Sequence, residues 1–138
     1  MKKIIVVACF LMAAIILFAQ QNNSLQQSLS RGKKVYDKVC LTCHMADGGG
    51  VPKMNPPLIQ TSYVLGDKKK IIYIVLHGMS DRIPIDDEYF SNNMAAHADL
   101  TDQQIADVLT YVRNSFGNKA DAVSVAEVKA VRNSTKKK

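Results

Sequence analysis

Two cysteines and a histidine lie within five consecutive residues, in the order Cys40-Leu41-Thr42-Cys43-His44. A CxxCH sequence is typical of covalent haem attachment, in which two thiols add to the vinyl groups of the porphyrin and the adjacent imidazole binds the iron. Two intervening residues let both thiols reach one porphyrin edge from a single turn of chain. The motif therefore predicts one covalent haem c, attached through Cys40 and Cys43, with His44 as an iron ligand.

Two other uses of paired cysteines fit this sequence less well. A zinc site needs a second pair of ligands, but no cysteine follows Cys43, and His77 and His97 are twenty residues apart, whereas paired zinc-binding histidines are about three to five apart. A thioredoxin-like dithiol needs a βαβ context, and no segment alternates in hydropathy as a half-buried strand would. Haem attachment is the favoured chemistry.

The chain has 138 residues, a formal charge of +6 and 47% hydrophobic residues, which allows one small domain. Two lysines precede an apolar run that ends at residue 19, and this pattern predicts a secretory signal over residues 1–19. The run is shorter than the roughly 20 residues of a spanning helix, so an uncleaved anchor is the weaker alternative. We therefore expect a periplasmic protein, attached to the inner membrane only if this segment is retained.

A helix leads into the CxxCH motif. Residues 20–28 are polar and rich in glutamine, which predicts a flexible leader. From Leu29 onward, apolar and small residues recur at spacings of three and four, which predicts an amphipathic helix capped near Ser28 or Ser30. Glycine and proline are then dense over residues 45–66, which predicts a long irregular loop around a large object.

Three further helices are predicted from their capping residues. Asp67 is the cap of a segment that runs to His77 and stops at Gly78, although residues 71–76 are apolar throughout and β-branched enough for a strand. Thr101 is the cap of a segment that stops at Gly117, and Ser124 opens a segment that runs through Arg132. In the second and third segments, a glutamine or glutamate three residues after the cap completes a capping box. The sequence therefore predicts an all-α fold with three main helices and a short extra C-terminal helix, followed by a basic tail.

Several stretches beyond the motif form a recognisable pattern. They are Gly32, Tyr36 and Cys40 on the first helix, Val108 and Tyr111 on the last main helix, and the segments 55–58, 65–67, 74–78 and 100–114. With these stretches, residues 29–118 resemble a class I monohaem cytochrome c of the type that accompanies periplasmic dehydrogenases and oxidases. Residues 119–138 form a C-terminal extension. The resemblance implies a small cytochrome c fold in which the first and last main helices cross closely at Gly32 and the carbonyl of Pro56 accepts a hydrogen bond from the ligand histidine.

The resemblance also implies a methionine as the second axial ligand, in the loop before the last main helix. Met94 lies fifty residues after His44, at the position that the family uses, and Met79 is the rival sulfur. The family usually has proline after this methionine, whereas Ala95 follows here. The loop is therefore expected to be less rigid, and His97 is a nitrogen that could compete for the iron at high pH.

Other residues are expected around the haem. The apolar residues predicted near the ring are Leu58, Ile72, Leu76 and Phe90, which would raise the reduction potential by lowering the local dielectric constant. Tyr63 and Arg82 are candidate partners of the haem propionates. The lysines that would surround an exposed haem edge are Lys33, Lys34, Lys38, Lys53 and the run 68–70. Such a basic face would steer an acidic redox partner, although a solvated surface is the alternative.

Ligation by histidine and methionine suits electron transfer, because both axial positions are filled and thioether ligation raises the potential. We expect a periplasmic electron carrier, not an enzyme, that takes single electrons from a dehydrogenase or quinol-oxidising complex and passes them to an oxidase or reductase. The alternatives are a haem enzyme or gas sensor with a labile or open sixth position, and a fixed cytochrome subunit of a larger oxidoreductase complex. No nucleic-acid partner is expected, because aromatic residues are few and no recognition motif is present.

Overall fold

The computed structural model describes residues 24–80, 82 and 84–135, and the predicted signal segment lies outside these ranges. Within them there are five helices, and no β-strand beyond isolated bridges. The helices are α1 over residues 24–44, α2 (Ser62–Leu65), α3 (Lys68–His77), α4 (Asp102–Arg113) and α5 (Val125–Thr135). The prediction of an all-α fold with three main helices and an extra C-terminal helix is confirmed.

No helix in the described part of the chain is both long enough and apolar enough to span a membrane.

The predicted caps of α3 and α4 are present, whereas Ser28 and Ser30, predicted to cap the first helix, lie inside α1. Asp67 accepts a hydrogen bond from the Lys69 amide at 2.9 Å, and Gly78, with φ of 75°, ends α3. Thr101 and Gln104 make both bonds of the capping box that begins α4. These signals are local, because each cap acts on backbone groups only two or three residues away.

The start of α1 and the end of α4 differ from the predicted helix limits. Residues 24–28, predicted to belong to a flexible leader, are helical, because Ser28 and Arg31 bind the side chain of Asp107 on α4. At the other end, α4 ends at Arg113, ahead of Gly117. Phe116 follows in a left-handed conformation with φ of 58°, which returns its ring to the aromatic cluster described next.

The helices α1 and α4 cross at Gly32. A Cβ atom placed on Gly32 would lie 2.1 Å from the Asp107 carbonyl oxygen and 2.7 Å from the Cβ of Tyr111, so only glycine fits. One turn later, the buried ring of Tyr36 packs against Tyr111 and Phe116, with centroid distances of 5.4 Å to each. The crossing is therefore held by backbone contact on one side and by aromatic packing on the other.

A polar anchor lies beside this crossing. The buried carboxylate of Asp107 accepts hydrogen bonds from Arg31 Nε at 2.7 Å, Arg31 Nη2 at 2.8 Å and Ser28 Oγ at 2.6 Å. Burial opposes ionisation of Asp107, but the hydrogen bonds from Arg31 and Ser28 outweigh it, so the pKa of this carboxyl lies below its ordinary value. The anchor ties the first turns of α1 to the middle of α4.

The hydrophobic core lies between α3, α4 and α5. Ile72, Ile105 and Val128, one from each helix, are all fully buried. Arg113 is also buried and donates hydrogen bonds to the carbonyls of Val64 and Asp121, which joins α2 to the segment before α5. The C-terminal extension is therefore packed against the domain along α5.

Substitution of Gly32 by alanine should strongly destabilise the fold. The new methyl group would overlap the α4 backbone, which cannot move aside as a side chain can, so we expect a loss of more than about 2 kcal/mol in urea unfolding. Gly49→Ala is the matched control, because its Cβ would meet only the rotatable carboxylate of Asp47, at 3.1 Å. Equal effects of the two substitutions would contradict the close crossing.

Removal of the Asp107 charge should destabilise the protein in a pH-dependent way. Asp107→Asn is expected to cost about 1–3 kcal/mol near neutral pH, since a buried charge-assisted network is broken. Because the folded-state pKa is depressed, this stabilisation is present above the unfolded pKa of about 3.9 and is lost as pH falls through the folded value. The difference between wild type and Asp107→Asn in thermal unfolding should therefore shrink below about pH 4.

Asp37→Asn is the control for this experiment, because Asp37 makes a solvent-exposed ion pair with Lys33 one turn away on the same helix. Such a pair contributes little. A stability difference between wild type and Asp107→Asn that stays constant from neutral to acid pH would show that the carboxylate charge does not contribute.

Candidate functional site

A cavity of about 260 Å³ lies between α1, α3, α4 and the irregular loops. Its wall is mostly apolar, and the aliphatic side chains that line it include Val39, Leu58, Ile71, Val75, Leu109 and Val112. A concave apolar site with a small number of polar groups is typical of cofactor binding. The residues of the CxxCH motif and both candidate methionines lie on this wall.

The two cysteines lie where α1 reaches the cavity. α1 widens into a π-helix over Tyr36–Cys40 and returns to an α-helix over Leu41–His44. π-turns inside α-helices occur frequently at functional sites. Cys40 is half-buried, Cys43 is exposed, and no disulfide joins them. Burial raises the pKa of the Cys40 thiol to about 11.

His44 is oriented by the loop that follows the motif. Its Nδ1 lies 3.0 Å from the carbonyl oxygen of Pro56, which is the predicted contact. A carbonyl can only accept, so Nδ1 carries the proton and Nε2 has a free lone pair for a metal. Burial lowers the pKa of His44, although the bond to Pro56 acts in the opposite direction. The imidazole is thus held in the neutral form and in the tautomer that binds iron.

Tight loop geometry holds Pro56 in place. The Gly50 amide donates to the His44 carbonyl at 3.1 Å, and the Leu58 amide donates to the Gly48 carbonyl at 2.7 Å. Gly50, with φ of 65°, lies so close to the loop that a Cβ would come within 2.4 Å of the Asn55 carbonyl oxygen. The glycines near the motif therefore allow the loop to fold closely under His44.

The two candidate methionines lie side by side. The Met79 amide donates to the Met94 carbonyl at 3.0 Å, and the Met94 amide donates to the Met79 carbonyl at 2.9 Å. Residues directly opposite in an antiparallel pair extend their side chains to the same face, and both methionines line the cavity. His97 also lines it, and the His97 amide donates to the Val75 carbonyl at 2.8 Å.

Most of the residues predicted to surround the haem line the cavity, but those predicted on α3 do not. Tyr63, Arg82 and Phe90 line the cavity, as Leu58 does. Ile72 and Leu76 are buried in the core and lie off the cavity wall. The residues of α3 that line the cavity are Ile71, Ile74 and Val75. Because each residue turns a helix by about 100°, a shift of one residue moves the side chain to another face. Residues 71–76 are apolar throughout, so they show no periodicity that would indicate which face meets the cavity.

The basic face is partly neutralised. Lys33, Lys53 and Lys68 pair with acidic residues, at 2.6, 3.5 and 2.6 Å respectively. The partner of Lys68 is Glu127, whose pKa falls to about 2 because hydrogen bonds from Lys68 and Ser124 outweigh the effect of burial. Lys70 instead lies over the ring of Tyr63, 3.5 Å from its centroid, at the edge of the cavity.

Two asparagines that position the loops were missed in the sequence. The buried side chain of Asn118 donates to the Leu58 carbonyl at 2.8 Å and accepts from the Gln60 amide at 2.7 Å. Asn92 donates to the side chain of Asn55 at 3.1 Å, which joins the loop below His44 to the loop that carries Met94. Both contacts join residues more than 35 positions apart, so no local signal reveals them.

The donor set fits a haem. Two thiols, two thioethers and the imidazoles of His44 and His97 line this cavity, and the hydrogen bond of His44 Nδ1 leaves its Nε2 available to a metal. Among residues 24–80, 82 and 84–135, no three Cys, His, Asp or Glu side chains are grouped so as to hold a metal ion by themselves.

Comparison with known proteins gives the family. The model of the cytochrome c family matches residues 29–116, a range that contains the CxxCH motif and both methionines. The chain is 35% identical over 111 residues to the cytochrome c subunit of alcohol dehydrogenase (quinone) from Gluconacetobacter polyoxogenes, covering 73% of this chain and 22% of that protein. It is 30% identical over 119 residues to the fructose dehydrogenase cytochrome subunit of Gluconobacter japonicus, covering 83% of this chain and 24% of that protein.

A smaller protein matches over more of its own length. Cytochrome c-552 of Thermus thermophilus is 30% identical over 91 residues, which cover 63% of this chain and 69% of that protein. The chain thus spans about a fifth to a quarter of the dehydrogenase subunits and about two thirds of cytochrome c-552. With the motif, the oriented histidine and the apolar cavity, these matches show that the chain belongs to the cytochrome c family, whose cofactor is covalently attached haem c.

Proposed function

We propose that the chain is a periplasmic c-type cytochrome that carries single electrons through a haem attached to Cys40 and Cys43 and ligated by His44 and Met94. The observation that carries this proposal is that a single cavity is lined by the neutral, oriented imidazole at the end of α1 and by the thioether side chains of the Met79–Met94 pair. The haem supplies a one-electron couple between ferric and ferrous iron.

The side chains have separate roles in this proposal. The hydrogen bond from His44 Nδ1 to Pro56 fixes the ring and strengthens Nε2 as a donor. The thioether of Met94 favours ferrous iron without excluding the ferric state, so the reduction potential is raised. The aliphatic wall excludes water and lowers the local dielectric constant, which raises the reduction potential further. Tyr63 and Arg82, which line the cavity, are the proposed partners of the propionates.

Met94 is proposed over Met79 on the basis of position. It lies six residues before Leu100, where the cytochrome c family places its axial methionine. Met79 directly follows Gly78, whose left-handed backbone ends α3, and its backbone pairing supports that of Met94. The role proposed for Met79 is to hold the position of Met94.

A dehydrogenase is the proposed electron donor, and an oxidase or reductase the acceptor. Two of the relatives are named as cytochrome subunits of dehydrogenases, which supports this donor class. It also favours a second candidate, a fixed subunit of such a complex. Cytochrome c-552, matched over most of its own length, favours a separate carrier. Co-purification with a dehydrogenase at a constant ratio would favour the subunit over the carrier.

Substitution of the two methionines should distinguish their roles. Met94→Ala is expected to remove the weak far-red sulfur-to-iron band of the ferric protein, produce a high-spin spectrum and lower the reduction potential, since the thioether is lost. Met79→Ala, a change of the same size on the same wall, should leave the band in place. Loss of the band in Met79→Ala alone would reverse the ligand assignment.

Carbon monoxide tests the electron-carrier function against the alternative of an enzyme or gas sensor. With the sixth position filled by sulfur, the reduced wild-type protein should show no prompt spectral shift when carbon monoxide is added, whereas Met94→Ala should bind it at once. Prompt binding by wild type would mean an open iron and would favour catalysis or sensing.

The two thioether bonds are tested by mass spectrometry of denatured wild type, Cys40→Ala and Cys43→Ala.

A further inference from the structure

The segment between Met94 and α4, residues 95–101, is named here the Met94 loop. Alanine stands at its first position, where the cytochrome c family usually has proline, so the loop lacks the fixed φ that a proline ring would impose. Ala95 and Ala96 are both exposed. Contacts with other parts of the chain must therefore limit the movement of this loop.

One arginine makes most of these contacts. Arg132 donates from Nη1 to the Ala98 carbonyl at 2.9 Å, from Nη2 to the Leu100 carbonyl at 2.6 Å, and from Nε to Asp102 Oδ1 at 2.6 Å. Its side chain is only 18% exposed. A single planar guanidinium thus joins two carbonyls of the Met94 loop to the first residue of α4.

The helix that carries Arg132 is firmly attached to the domain. On α5, Val128 is fully buried and Val131 is 9% exposed, and Glu127 pairs with Lys68 of α3 at 2.6 Å. The whole helix lies beyond residues 29–116, the range matched by the cytochrome c family. The contacts to the loop therefore come from a part of this chain outside the matched region.

The chemistry of arginine suits this task. Its five N–H groups are fixed in one plane, so two carbonyls and a carboxylate can be bound by one group with little loss of side-chain freedom. The bonds are charge-assisted and stronger than bonds between neutral groups. Because Ala98 and Leu100 accept from the same rigid group, the Met94 loop cannot move away from α5 without breaking both bonds.

We propose that Arg132 is a positioning residue that holds the Met94 loop closed, and so keeps the Met94 sulfur on the haem iron in place of the missing proline. The His97 amide, bonded to the Val75 carbonyl at 2.8 Å, holds the middle of the same loop. The inference rests on the proposed function, in which Met94 is the axial ligand.

The test measures how readily the sulfur leaves the iron in the full-length ferric holoprotein. Imidazole is added, and its rate of binding is followed optically at saturating concentration, where departure of the sulfur limits the rate. Arg132→Gln is expected to bind imidazole about tenfold faster than wild type, which corresponds to about 1.4 kcal/mol. Lys129→Gln is the matched control, because it removes the same charge from an exposed position of the same helix, and should stay within twofold.

Val128→Ala separates loop control from general destabilisation. This substitution weakens the packing of α5 at a fully buried position and should lower the unfolding midpoint, while the imidazole rate stays within twofold of wild type. Arg132→Lys keeps the charge but cannot form the planar fork, so a rate at least threefold above wild type is expected. The Arg132→Lys variant provides the test if Arg132→Gln does not fold.

Wild-type imidazole rates in both Arg132 variants would overturn the proposal. Equal acceleration in Val128→Ala and Arg132→Gln would also overturn it, because the effect would then reflect stability alone. These failures differ from failure of the proposed function, which would appear as a sulfur-to-iron band that persists in Met94→Ala. A band lost in Met94→Ala, with unchanged rates in the Arg132 variants, would reject only the role of Arg132.

Discussion

The close crossing of α1 and α4 at Gly32 is the contact on which the site depends. Any larger residue would overlap the Asp107 carbonyl and Tyr111, so the two helices approach as closely as their backbones allow. This places Tyr36 one turn later against the end of α4, where its hydroxyl donates to the Met45 carbonyl at 2.6 Å. Because Met45 directly follows His44, the crossing also sets where the motif enters the cavity.

The two sides of the cavity are held by different means. On the side of His44, glycines and prolines form a tight loop whose carbonyl orients the imidazole. On the side of Met94, the chain is irregular, and it is held by backbone bonds to Met79 and by Arg132. Imidazole orientation is thus set by neighbouring sequence, whereas thioether position depends on distant parts of the chain. If Met94 is the axial ligand, as proposed, this difference makes it easier to displace than His44.

The same distinction explains what the sequence could predict. The CxxCH motif and the helix caps were recognisable because they act over a few residues. The face of α3 that meets the cavity was predicted incorrectly, with Ile72 and Leu76 chosen over Ile71 and Val75. Residues 71–76 are apolar throughout, so they give no periodic signal. The contacts of Asp107 with Arg31 join residues 76 positions apart, so only the folded chain reveals them.

Electron transfer benefits when the metal site keeps nearly one geometry in both oxidation states. In this protein, the segments that carry the proposed ligands His44 and Met94 are held mainly by bonds to backbone carbonyls, those of Pro56, Met79, Ala98 and Leu100. None of these carbonyls gains or loses charge when the iron does, and each is fixed by the helix or loop around it. With the proposed ligands, this constraint is independent of the oxidation state and would keep the reorganisation that accompanies each electron small.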